Sequence, residues 1–324
     1  MVRIGSASIG SMSQPRRVAL ALGSGGARGY AHIGAVQVLD ERGFEIVAVA
    51  GSSMGALIGG VLAAGRLKQF TDWAVDLKQR DVLRLIDPKW TSPGAMTADR
   101  LINHLSGFLT DVEIENLPIP YTAVATDITN RREVWFQKGP LRSAIRASIA
   151  IPGLITPVVI NGRLLADGGL LNPVPIEPTA AADADLTVAV SLQAPRPAHE
   201  SASPVHATAE PQRFEDWRER LRQVFHGLTS RTTGLEAPEN ADGPATDRAA
   251  DAMLPGDLRI ADVLTLSLDA MQDLIARYRM AGLPPDIHIT VPVNACRVMD
   301  FHRAADMIAV GRDLTAKALD DAGY

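Results

Sequence analysis

The hydrophobic positions along the chain predict alternating strands and helices. Runs of β-branched and small apolar residues are typical of strands buried on both faces, whereas apolar residues spaced three or four apart indicate helices. The predicted strands are 18–23, 45–50, 121–126, 133–137, 186–192 and 286–293. The predicted helices are near 30–42, 55–64, 68–79, 97–109, 140–150, 260–281 and 302–321. This alternation favours an α/β fold, a three-layer α/β/α sandwich with a mostly parallel central sheet.

Three segments depart from this alternation. Residues 156–169 hold two short apolar runs joined by Asn161-Gly162, the strongest short signal for a β-hairpin. Residues 194–256 are rich in Pro, Ala, Ser, Glu and Thr, which predicts a low-complexity or lid insertion. With residues 1–16 as a flexible tail, the predicted core spans 17–193 and resumes at 257–324.

One stretch of the predicted insertion, 213–231, has the pattern of an amphipathic helix. On an ideal helix its large apolar residues share an arc of about 100°. They are Phe214, Trp217, Leu221, Val224, Phe225 and Leu228. Arginines flank that arc and acidic residues occupy the far side, an arrangement that suits peripheral contact with a lipid surface. The alternative is a lid helix that packs on its own domain.

Composition narrows the function classes. The chain of 324 residues is 46% hydrophobic and 21% charged, as in ordinary globular proteins, and its net charge of −5 argues against nucleic acid as a partner. The single cysteine, Cys296, excludes an internal disulfide and fits a reducing, cytoplasmic location. The N-terminus lacks the apolar region of a secretory signal. Glycines and serines interrupt the uncharged stretch 46–65, which favours a strand-turn-helix over a membrane span.

A glycine-rich loop, GSGGARG at 23–29, follows the first predicted strand. The dinucleotide fingerprint would require a third glycine where Arg28 stands, and an acidic residue at the end of the second strand, where Gly51 and Ser52 stand. The P-loop would require a following Gly-Lys-Ser/Thr, which the sequence lacks. The loop therefore argues against a nucleotide cofactor.

The same loop suits an oxyanion hole, because glycines let the backbone approach a substrate without interference from a Cβ atom. The predicted donors are the backbone N–H groups of Gly25, Gly26 and Ala27. Loss of one such donor typically costs about 3 kcal/mol of transition-state stabilisation. A tight turn with no chemistry is the alternative.

Residues 51–55, Gly-Ser-Ser-Met-Gly, form a G-x-S-x-G pentapeptide between a predicted strand and a predicted helix. This context is typical of a nucleophile elbow, which would expose the hydroxyl of Ser53 at the tip of a sharp turn. The helix that begins at Met54 would add a favourable partial positive charge at its amino end.

Two kinds of base for Ser53 are compatible with the residues. A triad could use Asp167 followed by His288 or His302, but an α/β-hydrolase has several strands before the nucleophile and here only two precede it. Alternatively, Asp167 could accept the proton directly, because a dry pocket would raise its pKa and its basicity. Its place before Gly168-Gly169 is also typical of an ordinary turn.

The ordered motifs resemble the patatin-like phospholipase family, and most closely its bacterial branch related to neuropathy target esterase. The resemblance rests on the loop at 23–29, the pentapeptide at 51–55, Arg-Ala-Ser-Ile-Ala-Ile-Pro at 146–152 and Asp-Gly-Gly-Leu-Leu-Asn-Pro-Val-Pro at 167–175. It covers about 18–193 and, more weakly, 257–324.

That resemblance implies a patatin-like fold and a Ser–Asp dyad with no histidine, metal or cofactor. Ser53 would be the nucleophile and Asp167 its base, while Gly25, Gly26 and neighbouring amides would form the oxyanion hole. Arg28 matches an arginine of the family loop, and would hold that loop or face a lipid phosphate.

Two departures from the family pattern stand out. Ser24 replaces a glycine of the loop, which changes its first residue and not the expected donors. Leu154-Ile155 replaces the commoner aromatic residue after Pro-Gly, which leaves the shape of the acyl pocket open.

The resemblance implies a serine esterase of phospholipase A or lysophospholipase type that forms an acyl-enzyme on Ser53. The alternative is a catalytically weak lipid-binding or regulatory module on the same scaffold, against which the intact Ser53 and Asp167 argue. The sequence leaves the head group, acyl length and oligomeric state open.

Overall fold

The six predicted strands all belong to one sheet. A computed structural model describes residues 15–85, 87–88, 94–97, 99–109, 112–194 and 260–324. Its strands are β1 Arg17–Leu22, β2 Glu45–Ser52, β3 Asp87–Pro88, β4 Gly94–Thr97, β5 Tyr121–Asp127, β6 Arg132–Phe136, β7 Gly153–Ile155, β8 Val158–Ile160, β9 Arg163–Asp167, β10 Leu186–Ala194 and β11 Ile287–Pro292.

The helices alternate with these strands through most of the chain. They are α1 Ala31–Glu41, α2 Met54–Ala63, α3 Leu67–Asp76, α4 Gln79–Leu85, α5 Asp99–His104, α6 Ser106–Leu109, α7 Leu141–Ser148, α8 Ile260–Gly282 and α9 Ala304–Asp321. The predicted tail at 1–16, and the predicted insertion at 194–256 with its helix at 213–231, lie outside the described residues except at positions 15, 16 and 194. Within the described part of the chain, none of the helices is both long and apolar enough to cross a bilayer.

Within the described ranges the main sheet has eight strands, ordered β11-β10-β1-β2-β5-β9-β8, with β6 also paired to β5. The neighbours from β11 to β5 are parallel, and the antiparallel pairs described in this sheet are β5–β6, β5–β9 and β8–β9. The sheet is therefore mostly parallel, as the sequence predicts, and the loops after β1 and β2 leave it at the same end.

Strands β2 and β9 pair with the same edge of β5. Residues Ala123 and Val124 pair with both β2 and β6, so these two strands lie on opposite edges of β5. Residues 125–127 pair with both β6 and β9, which places β9 on the same edge as β2. Strand β2 ends opposite Val124 and β9 ends opposite Ala125, so Ser52 and Asp167 occupy consecutive positions along that edge.

Helices cover both faces of the sheet. On one face, Val18, Leu20 and Leu22 of β1 belong to the largest apolar cluster, with side chains of α1, α2, α7 and α9. On the other face, Ala21 of β1 packs in a smaller cluster that includes Ala276 of α8. The alternation of large and small apolar residues along β1 thus matches a thick apolar layer on one side and a smaller apolar cluster on the other.

Helices α1 and α9 cross at two glycines. A Cβ atom at Gly34 would lie 2.1 Å from the carbonyl oxygen of Ile308, and one at Gly311 would lie 2.0 Å from that of Ala31. Each glycine therefore lets the backbone of one helix touch the backbone of the other, and this contact holds the C-terminal helix on the core.

Short elements account for the main differences from the sequence predictions. The helix predicted at 97–109 is divided between β4, α5 and α6. Its first residue, Thr97, pairs with Asp87 in a separate sheet of β3, β4 and β7. Strands of two to four residues carry no periodic signal in a sequence. The predicted hairpin is confirmed: Ile160 pairs with Arg163 across the two-residue turn Asn161-Gly162, and both turn residues have positive φ.

We expect Gly34→Ala and Gly311→Ala to lower the free energy of unfolding by about 1–3 kcal/mol each, since the added methyl group forces two backbones apart. The matched control is Gly107→Ala in α6, where a Cβ atom would have nothing within 4 Å. Urea denaturation measures all three variants. Equal stability of Gly34→Ala and Gly107→Ala would contradict the close crossing.

Candidate functional site

The pentapeptide at 51–55 forms a sharp turn between β2 and α2. Ser53 has φ 55° and ψ −122°, and α2 begins at the next residue. A non-glycine residue at positive φ is strained, and such strain is found at the nucleophile elbow of hydrolases. The flanking glycines are required by space, because a Cβ atom at Gly51 would lie 2.3 Å from Gly55 and one at Gly55 would lie 2.1 Å from the Leu22 carbonyl oxygen.

The strained turn is held by Ser148, at the end of α7. The backbone N–H of Ser53 donates to Ser148 Oγ at 2.9 Å, and that hydroxyl donates to the Val124 carbonyl at 2.6 Å. Ser148 is fully buried. It therefore links the elbow to β5. In the sequence, the segment 146–152 carries only a family resemblance, and no local pattern indicates this role for Ser148.

The structure brings the hydroxyl of Ser53 and the carboxylate of Asp167 together. Ser53 Oγ donates to Asp167 Oδ2 at 2.5 Å, and the backbone N–H of Gly169 donates to Asp167 Oδ1 at 2.8 Å. Both side chains are buried, with Ser53 4% and Asp167 3% exposed. Among the described residues, no histidine is hydrogen-bonded to either of them.

Burial sets the acid–base properties of this pair. Loss of hydration raises the pKa of Asp167 to about 7, and the hydrogen bonds from Ser53 and Gly169 oppose that rise only in part. A carboxylate with a pKa near neutrality can accept and return a proton, which an exposed aspartate with a pKa of about 3.9 does poorly.

The glycine-rich loop contacts the elbow. Leu22 and Gly51 are partners across β1 and β2, so the two loops start at the same level. A Cβ atom at Gly29 would lie 2.2 Å from Met54 Cγ, which shows how closely the loop and α2 approach. The third motif joins them, because a Cβ atom at Gly169 would meet the Ser24 hydroxyl at 2.5 Å. Three sequence motifs thus converge at one end of the sheet.

The backbone N–H groups of the loop differ in whether they already donate a hydrogen bond within the protein. Ala27 N–H already donates to the Val298 carbonyl at 2.9 Å, so this predicted oxyanion donor is occupied within the protein. Among the residues that the structure describes, the amides of Gly25 and Gly26 donate no hydrogen bond to the rest of the chain. These two amides are therefore the available donors of the predicted set.

Arg28 is placed as an anchor of this loop. It is 2% exposed, and its Nε donates to the Gly25 carbonyl at 3.2 Å. Burial lowers the pKa of its guanidinium, while the negative charge of Asp269 on α8 opposes that change. Of the two roles that the family resemblance suggests for Arg28, this geometry favours holding the loop, because a buried side chain does not face a lipid head group.

Two histidines of the described residues can be placed relative to the site. His32 is fully buried, and its Nε2 is 2.9 Å from the Gly23 carbonyl oxygen, to which it must donate. Burial lowers its pKa to about 4, so it stays neutral and supports the base of the loop. His288 is exposed on β11 at the far edge of the sheet. Among the described residues, no three His, Cys, Asp or Glu side chains are grouped to hold a metal ion.

Comparison with known proteins agrees with the ordered motifs. The family model for patatin-like phospholipases matches residues 20–180. An uncharacterized NTE family protein of Mycobacterium tuberculosis is 45% identical, and the match covers 95% of this chain and 92% of that protein. The lysophospholipase NTE1 of Cryptococcus neoformans is 34% identical over 172 residues, which cover 50% of this chain and 10% of that much longer protein.

Among solved structures, VipD from Legionella pneumophila is similar at a TM-score of 0.44 and 15% identity, over 95% of this chain and 67% of that chain. A similarity of this size carries no argument about function. The family assignment depends on the sequence matches.

The raised pKa of Asp167 predicts how stability depends on pH. The carboxyl group binds its proton more tightly in the folded state, so the folded protein loses stability as the pH rises from about 4 through about 7. Asp167→Asn removes this loss and keeps an acceptor for Gly169. We expect it to be more stable than the wild type by up to about 4 kcal/mol at pH 8, and by less at pH 5.

Urea denaturation across this pH range measures the difference. The matched control is Asp72→Asn, an exposed aspartate paired with Lys68, which should follow the wild-type curve. Parallel curves for Asp167→Asn and the wild type would show that burial does not perturb this carboxyl group.

Proposed function

The chain belongs to the patatin-like phospholipase family, a family of lipid hydrolases, and on that premise we propose that it is a serine esterase acting on phospholipids or lysophospholipids. The observation that carries the proposal is the 2.5 Å hydrogen bond from Ser53 Oγ to the buried Asp167 carboxylate. A strained serine bonded directly to a carboxylate of raised pKa has both parts of a two-residue nucleophile.

In the first half-reaction, Ser53 Oγ attacks the ester carbonyl carbon while Asp167 takes its proton. The carbonyl oxygen becomes negatively charged, and the amides of Gly25 and Gly26 are the proposed donors that stabilise it. Collapse of this intermediate breaks the ester bond, and Asp167 gives its proton to the departing alcohol oxygen. The fatty acyl group remains on Ser53 as an ester.

In the second half-reaction, water replaces the alcohol. Asp167 takes a proton from the water, whose oxygen attacks the acyl carbon, and the same carboxyl group then protonates Ser53 Oγ as the fatty acid leaves. One group thus acts alternately as base and acid, which a pKa near 7 permits. No histidine is needed in either half.

The substrate class comes from the family and from the relatives. The lysophospholipase NTE1 relatives share about half of this chain, which favours a single-chain phospholipid as a substrate to test first. The bilayer surface would supply such a lipid, so peripheral contact with a membrane remains part of the proposal.

We expect Ser53→Ala and Asp167→Asn to lose turnover of lysophospholipid and of p-nitrophenyl esters by at least about 1000-fold, because each removes half of the nucleophile. A fluorophosphonate probe should label the wild type and not Ser53→Ala. The control Ser143→Ala, an exposed serine on α7, should keep full activity.

The outcome that contradicts the proposal is equal turnover by the wild type and Asp167→Asn. That result would favour the alternative, a lipid-binding module with negligible catalysis. A panel of lysophospholipids, diacyl phospholipids and simple esters, each with the Ser53→Ala control, distinguishes the lysophospholipase and phospholipase A types.

The pH profile tests the base separately. Since Asp167 acts as a carboxylate, kcat/KM should fall about tenfold per pH unit below its pKa of about 7 and level off above it. Hydrolysis of a soluble p-nitrophenyl ester from pH 5 to 9, followed at the isosbestic wavelength of nitrophenol, measures the midpoint. A midpoint near 4 would contradict a desolvated base.

A further inference from the structure

A group of charged and polar side chains lies between β6, α8 and the segment that follows β9. Arg279 of α8 contacts two carboxylates, Glu133 Oε1 at 2.7 Å and Glu177 Oε1 at 3.0 Å. Their side chains are 28%, 19% and 30% exposed, so the ion pairs are largely shielded from water. Arg279 also donates to the Leu171 carbonyl at 3.4 Å.

The same two carboxylates hold Asn172. Its Nδ2 donates to Glu133 Oε2 at 2.9 Å and to Glu177 Oε2 at 3.3 Å. Asn172 is fully buried, and among the described residues its Oδ1 has no hydrogen-bond partner. The two donated bonds are therefore what orients this side chain.

The backbone of Asn172 touches the neighbours of both members of the Ser53–Asp167 pair. Its carbonyl oxygen accepts from Ser52 Oγ at 2.6 Å, and its N–H donates to the Gly168 carbonyl at 2.9 Å. Ser52 precedes the proposed nucleophile and Gly168 follows the proposed base. A displacement of Asn172 would consequently change the separation of the hydroxyl and the carboxylate.

We propose that Arg279 is a positioning residue for the hydrolytic reaction: through Glu133, Glu177 and Asn172 it holds Ser53 and Asp167 at hydrogen-bonding distance. This inference rests on the proposed function. It adds a residue of α8, distant in sequence from every recognised motif, to the machinery of the site.

Electrostatics explains why the arginine is needed. Glu133 and Glu177 both point an oxygen at Asn172, and two carboxylates brought this close repel each other unless a cation lies between them. The guanidinium supplies that cation and bonds to both. Without it the carboxylates separate, and Asn172 loses the pair of acceptors that hold it.

Helix α8 also carries a matched control. Arg277 pairs with Asp273 in the same helix, and its side chain is 60% exposed. An exposed pair of this kind contributes about 0–1 kcal/mol. Arg277 and Arg279 thus differ in their partners while sharing a residue type and a helix.

The experiment compares Arg279→Gln and Arg277→Gln by two readouts: the second-order rate constant for fluorophosphonate labelling of Ser53, and the pH midpoint of kcat/KM. We expect Arg279→Gln to label at least about 10-fold more slowly, since small displacements of reacting groups cost 10- to 100-fold. Arg277→Gln should stay within about 2-fold of the wild type.

The pH midpoint separates positioning from general destabilisation. The hydrogen bond from Ser53 lowers the pKa of Asp167, so lengthening that bond should move the midpoint above the wild-type value of about 7. Urea denaturation confirms that the variant is folded under assay conditions. Adding Glu133→Gln and Glu177→Gln to Arg279→Gln removes the repulsion and should restore most of the labelling rate.

Each result has a definite meaning. Labelling of Arg279→Gln at the rate of Arg277→Gln, or a slower rate with an unchanged pH midpoint, would overturn the inference while leaving the proposed function intact. Absence of labelling in the wild type would refute the proposed function itself. If Arg279→Gln does not fold, Arg279→Met replaces it, since it also removes the cation, and wild-type labelling and midpoint in that variant would overturn the inference.

Discussion

The site depends on one edge of one strand. Strand β6 occupies one side of β5, and β2 and β9 divide the other between them. Strands β2 and β9 end at consecutive positions along this edge. Ser53, which follows β2, therefore lies beside Asp167, the last residue of β9, and its hydroxyl reaches the Asp167 carboxylate. The antiparallel direction of β9 is essential, since a parallel strand in that position would direct its C-terminal end away from the elbow.

Burial of this pair has opposing consequences. It raises the pKa of Asp167 towards neutrality, which suits a base, and it makes the ionised carboxylate costly to the fold. Two fixed hydrogen bonds offset part of this cost. The Gly169 N–H donates to the Asp167 carboxylate, and the hydroxyl of Ser148 accepts from the backbone N–H of the strained Ser53. The loop beside them is held from behind by Arg28 and His32, both buried and both bonded to loop carbonyls. The polar groups near the site are therefore largely engaged; among the described residues, the amides of Gly25 and Gly26 and the hydroxyl of Ser24 have no partner within the chain.

Helix α8, on the second face of the sheet, interacts with residues that hold the site in place. The apolar cluster on that face is small, and long polar side chains of α8 reach Glu133 on β6 and Glu177. Asp269 acts on Arg28 by its charge, and Arg279 contacts the carboxylates that hold Asn172. The helix that follows the predicted insertion thus interacts with Arg28, which holds the loop, and with the carboxylates that hold Asn172 beside the elbow.

The sequence by itself determined the α/β alternation, the hairpin at Asn161-Gly162 and the candidate chemistry at Ser53 and Asp167, because each depends on local patterns or on short motifs. Only the tertiary structure decided which groups support that chemistry. Ser148, His32, Asn172 and Arg279 act through contacts that only the folded chain makes. Ser148 and Asn172 lie in motifs that the sequence shows, but nothing in those motifs indicates which groups they bond. The sequence also did not predict the short strands β3, β4 and β7 or the hydrogen bond of the Ala27 amide. Each depends on pairing with another part of the backbone, whereas the periodicity of a segment indicates only which of its faces is buried.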